Sequence, residues 1–159
     1  MHNDVIYAVI FAFIQMTIPK VILDTNVLVS AFTSADGASR EVLRQLLSGK
    51  VSALISVALY SEYRDVLGRA DFLNRCPLSP IEIDDLFFAF LACTEPVELY
   101  FSWRPNLRDE GDNHVYELAV AALDAPLLTY NQRDFMQPQL KFPSLQIMTP
   151  AQWLQLPRP

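Results

Sequence analysis

Asp24, Glu62 and Asp112 are the side chains of this sequence best suited to chemistry. Asp24 closes the apolar run Val21-Ile22-Leu23, and polar Thr25 and Asn26 follow before apolar residues resume at Val27. That pattern reads as a buried parallel strand delivering a carboxylate at its carboxyl end, where ligands of open α/β sheets sit. Burying such a charge is costly unless something cationic compensates it, and no Lys or Arg follows until Arg40. A bound metal is the natural candidate; the alternative is that Asp24 merely caps the next turn through Thr25 and Asn26. Several acids in one place repel one another and are stable only if protons or divalent cations neutralise them. An oxygen-rich set without paired histidines or cysteines suits Mg²⁺ or Mn²⁺ and argues against zinc.

The elements around these acids alternate. Ser39 is expected to cap a helix with apolar Val42, Leu43, Leu46 and Leu47, ended by Gly49. Val51 to Val57 predicts a short strand, and Ser56 to Leu67 a helix carrying Glu62. Leu73 to Pro80 reads as a break, and Ser79-Pro80-Ile81-Glu82 opens a helix running to about Ala92. A strand is expected over Val97 to Phe101, then a polar loop from Arg104 to Asn113, then a helix to about Leu123 with Asp112 at its start. Pro126 to Tyr130 and Leu145 to Met148 complete the strands. Strands and helices in this order predict a three-layer α/β/α sandwich around a mainly parallel sheet, formed by one domain over residues 20–159. The ends bearing Asp24, Glu62, Asp112 and Asn131 are then expected at one sheet edge.

Composition excludes disorder: 52% of the 159 residues are hydrophobic and 19% charged, enough for one sizeable core. Eighteen acids against 12 bases leave a net charge of -6, so the chain lacks the broad basic footprint of a nucleic-acid binder. Phosphate must be attracted locally, and Arg108 and Arg133 are the best placed cations for it. Cys76 and Cys93 have no metal-ligand spacing and read as small buried hydrophobes in a reducing cytoplasm. The run Val5 to Ile14 in the extension 1–19 is too short to span a bilayer, and it lacks both a preceding base and a cleavage site. It reads as a packed segment, or as residues upstream of a true start at Met16. His114 lies one turn into the acidic helix and is expected to be exposed or at the edge of the core, the alternative being that it faces the cleft.

Four stretches in order, Val21-Ile22-Leu23-Asp24-Thr25-Asn26-Val27, Ser61-Glu62-Tyr63-Arg64-Asp65-Val66-Leu67, Arg108-Asp109-Glu110-Gly111-Asp112-Asn113 and Leu128-Thr129-Tyr130-Asn131-Gln132-Arg133-Asp134-Phe135, resemble the PIN-domain nuclease family. The resemblance, strongest to its stand-alone bacterial branch of toxin components, runs from about Lys20 to Trp153. It implies an α/β/α sandwich and Mg²⁺- or Mn²⁺-dependent hydrolysis of RNA, with Asp24, Glu62 and Asp112 as catalytic metal ligands. Asn26 and Thr129 then stand beside substrate and metals, and Asp109 and Asp134 are outer acids. The family's fourth acid falls on the neutral Asn131, which can ligate only through its carbonyl. An RNA substrate, a protein antitoxin and a second copy of the chain are the implied partners, with no membrane. Asn131 also supports a competing reading, a catalytically weak module of the same fold that binds RNA or protein. A third reading, an Asp-nucleophile phosphotransferase, is disfavoured because its usual second Asp is here Asn26.

Overall fold

The computed structural model describes residues 5–10, 18–99, 110–122, 125–135 and 145–157. Residues 5–10 are helical with exposed side chains. From there the elements run β1 (Lys20–Leu23), α1 (Thr25–Thr33), α2 (Ala38–Leu47), β2 (Ser52–Ile55), α3 (Val57–Leu67), α4 (Ala70–Arg75), α5 (Pro80–Leu91) and β3 (Thr94–Pro96). A single 3-10 turn (Glu110–Asp112) then leads into α6 (Asn113–Ala121), β4 (Leu127–Leu128), α7 (Gln132–Phe135), β5 (Ile147–Met148) and α8 (Pro150–Leu154). Among the described residues no helix is long and apolar enough to cross a membrane.

The sheet has the order β3-β2-β1-β4-β5, and every neighbouring pair is parallel. All five carboxyl ends therefore lie on one edge. Successive strands step one way from β1 to β2 and β3 and the other way from β4 to β5, so the strand order reverses between β1 and β4. Right-handed crossovers stepping in opposite directions place their helices on opposite faces, which makes the α/β sandwich and opens a crevice at the reversal. The central strand has the composition its position demands: Val21, Ile22 and Leu23 are buried on both faces.

Several elements depart from the sequence expectation. Gly37, with φ 109°, precedes α2, and Ser39 lies inside the helix rather than capping it. Its hydroxyl instead meets the Tyr130 hydroxyl at 2.6 Å, so a residue with capping chemistry is used for a tertiary contact. Helix α4, which buries Phe72, runs on through Leu73 to Arg75 into the stretch expected to be a break. β3 starts three residues early: Thr94, Glu95 and Pro96 pair with β2, and Val97 donates to the Ile55 carbonyl at 2.8 Å. At the end of the strand order it is only half buried, so hydrophobicity marks it weakly, and Pro96 is tolerated because no outer neighbour among the described residues needs its N–H. Tyr100 and Phe101 lie outside the described residues. The short helices α7 and α8 had no expectation; α8 carries a full capping box at Thr149 and Gln152 and buries Trp153.

Candidate functional site

Asp24 sits where β1 ends and α1 begins, at the reversal crevice, and is 4% exposed. Its N–H extends the ladder to β4 by donating to the Leu128 carbonyl at 2.9 Å. Its side chain caps α1, Oδ1 accepting from the Thr25 N–H at 2.8 Å. The cap engages Oδ1 and leaves Oδ2 for other partners, so the capping role and a site role are compatible. Oδ2 accepts from the Thr129 hydroxyl at 2.6 Å and from Asn26 Nδ2 at 2.8 Å. Thr129, fully buried at the end of β4, also accepts from the Asn131 N–H at 2.9 Å, and Asn26 Oδ1 accepts from the Tyr130 N–H at 3.3 Å. Residues 105 positions apart are therefore locked into one network across the crevice.

Burial raises the pKa of Asp24 above its ordinary 3.8; the bonds from Thr129, Thr25 and Asn26 oppose that rise, and the negative charge of Glu62 adds to it. Glu62 projects from α3 close enough to be felt by Asp24. Its Oε2 lies 2.5 Å from Nε2 of His114 on α6, with side chains 30% and 21% exposed respectively. Tyr63, next to Glu62 on α3, is fully buried and donates its hydroxyl to the Leu23 carbonyl at 2.5 Å. Burial, then the charges of Asp24 and Glu62, pushes the Tyr63 phenol well above its ordinary range, so it remains a donor. Asp112 closes the 3-10 turn and stands at the N-cap of α6, half-buried, two residues before His114.

Asp24 and Glu62 are thus brought into electrostatic contact, and Asp112 is placed on the helix that binds Glu62. Among the described residues no three His, Cys, Asp or Glu side chains gather into a cluster able to hold a metal ion, so the three acids do not form a ready-made cage. Asn131 and Arg133 are exposed beside Thr129, and the Asp134 N–H donates to the Asn131 carbonyl at 3.0 Å at the start of α7. Arg108 and Asp109 lie outside the described residues.

The donor chemistry nonetheless fits a hard divalent ion. Asp24 and Glu62 supply oxygen ligands whose mutual repulsion a cation would relieve. The hydroxyl of Thr25, the residue after Asp24, is buried with no hydrogen-bond partner among the described residues. A family model of the PIN domain matches residues 20–133, a span that contains Asp24, Glu62, Asp112 and Asn131. The chain belongs to the PIN-domain family. No curated protein and no solved structure matches it. PIN domains are generally nucleases that use divalent metals, and the crevice of this one is built at the position where the fold offers its ligand site.

Within this PIN domain three roles escaped the sequence. Thr129, expected to touch substrate, spends its hydroxyl proton on Asp24. Tyr63 packs in the core edge-on to Phe90 with ring centroids 5.8 Å apart, yet its hydroxyl reaches β1. His114 is neither free on the surface nor merely at the core edge, but bound to Glu62. Its position two residues after Asp112 was the one available signal, and it becomes decisive only once α6 is known to face α3.

Proposed function

We propose that this PIN domain is a divalent-metal-dependent endoribonuclease acting in the cytoplasm as the toxin of a toxin–antitoxin pair. The observation that carries the reading is Asp24: a nearly buried carboxylate at the reversal crevice, beside a second acid, and more basic than an ordinary aspartate. Asp24, Glu62 and Asp112, with the Asn131 carbonyl, would hold Mg²⁺ or Mn²⁺. When bound, the ion supplies an activated water and counter-charge for the phosphate. Thr129, Thr25 and Asn26 grip the Asp24 carboxylate, and the contact of α3 with α6 through Glu62 and His114 supports the reading that Glu62 and Asp112 would serve one ion. Exposed Arg133 offers a guanidinium to a substrate phosphate, which a chain of net charge -6 has to attract locally.

Asn131 favours a second reading. A neutral residue in place of a fourth acid gives a weaker second metal site, or a module that binds RNA or a protein partner without cutting. Incubation of mixed RNAs with and without Mn²⁺, alongside Asp24→Asn, separates the two. Cleavage by the wild type that requires Mn²⁺ and disappears in the variant is expected. RNA that is bound but left intact would support the binding module, and cleavage equal in both proteins would remove Asp24 from the mechanism.

A further inference from the structure

We propose that His114 is a positioning residue that holds the Glu62 carboxylate in the orientation in which it ligates a divalent cation; the inference rests on the metal-dependent reading above. His114 and Glu62 belong to α6 and α3, separate elements that meet at this contact, and the Nε2 to Oε2 distance of 2.5 Å puts the two groups within hydrogen-bonding reach. A carboxylate can only accept, so Nε2 carries the shared proton and donates it whether the ring is neutral or charged. The bond therefore supplies direction and does not depend on the charge state of the imidazole.

Direction is what Glu62 otherwise lacks. Asp24 is short, nearly buried, and gripped by Thr25, Thr129 and Asn26. Glu62 has a longer side chain with more torsions to fix, and it is about one-third exposed on a helix flank. A donor from α6 that grips one oxygen fixes the carboxylate plane and sets the direction of the other oxygen. His114 thus does for Glu62 what Thr129 does for Asp24: in each case a residue from the later part of the chain orients an acid from the earlier part. Outer hydrogen bonds of this kind are worth about 10–100-fold in metal affinity. The same contact also ties α6, and with it Asp112, to α3.

The test is Mn²⁺ titration calorimetry at one fixed pH on folded wild type, His114→Ala, His114→Asn and His114→Gln, with RNA cleavage as a second readout. Gln can extend an amide N–H toward Glu62, whereas Asn is too short. Loss of about tenfold or more in Mn²⁺ affinity is expected for Ala and Asn, with Gln restoring most of it. Asn serves as the disrupting variant should Ala fail to fold. A helix staple with no positioning role would lower the melting temperature and leave Mn²⁺ affinity alone, and that result overturns the inference. Tighter Mn²⁺ binding on removal of the imidazole, or a folded Gln variant no better than Asn, overturns it as well. A wild type that binds no Mn²⁺ removes the metal-dependent reading itself, which is distinguishable because the variants then have nothing to lose.

Discussion

At the scale of single residues, the site is governed by what it costs to keep Asp24 charged. The folded protein binds the Asp24 proton more tightly than the unfolded chain, because burial and the Glu62 charge outweigh three hydrogen bonds. Its contribution to stability is therefore full below about 3.8 and is lost as pH rises through the raised folded value. In metal-free buffer the wild type should gain melting temperature relative to Asp24→Asn as pH falls from about 7 toward 4. Parallel profiles for the two proteins would mean that Asp24 titrates normally. The pH dependence is the diagnostic, since an amide nitrogen at the Oδ2 position cannot accept from Thr129 or Asn26 and perturbs absolute stability for another reason. Thr129→Val keeps the shape and deletes the donor. A hydrogen bond to a charged group is worth about 1.5–3 kcal/mol, so urea unfolding at neutral pH should show a loss of about 2 kcal/mol.

At the scale of elements, helix α3 matters because it carries both Glu62 and Tyr63. Its start is set by Ser56, a buried residue whose hydroxyl accepts from the Leu59 N–H at 3.2 Å. Ser56→Ala should cost about 1 kcal/mol and speed hydrogen exchange in the first turn. Unchanged exchange there would show that β2 and the core hold the turn without the cap. Helix α5 begins with the same chemistry, Ser79 and Glu82 capping each other reciprocally with Pro80 at the first turn. Residue types alone announced that start, whereas α7, of four residues, carries too little periodicity to announce itself.

At the scale of the whole molecule, one bond links the strand that presents Asp24 to the helix that presents Glu62. It is the Tyr63 hydroxyl on the Leu23 carbonyl. Tyr63→Phe leaves the core packing in place and removes that clamp, so a loss of about 1 kcal/mol is expected, together with weaker Mn²⁺ binding as the two acids lose their fixed spacing. A Phe variant equal to the wild type in both measurements would show that the crevice is held by packing alone. The aromatic cluster gives a reason to expect the fold itself to survive, since Phe87 and Phe90 meet the Tyr63 ring edge-on whether or not it bears a hydroxyl.

The sequence by itself determined the α/β class, because buried parallel strands and amphipathic helices leave different local periods. It also determined the PIN-domain resemblance and the place of Asp24 at the end of a buried strand, because a charge closing an apolar run is conspicuous without any knowledge of neighbours. The start of α5 was legible at Ser79 and Pro80, the start of α2 was misplaced at Ser39, and the half-exposed edge strand β3 was illegible. Only the tertiary structure decided who holds the acids. Thr129 reaches Asp24 because parallel pairing sets β4 beside β1, and His114 reaches Glu62 because α6 packs against α3. Those partners are distant along the chain, and no local pattern of residue types records which distant donor a carboxylate will meet.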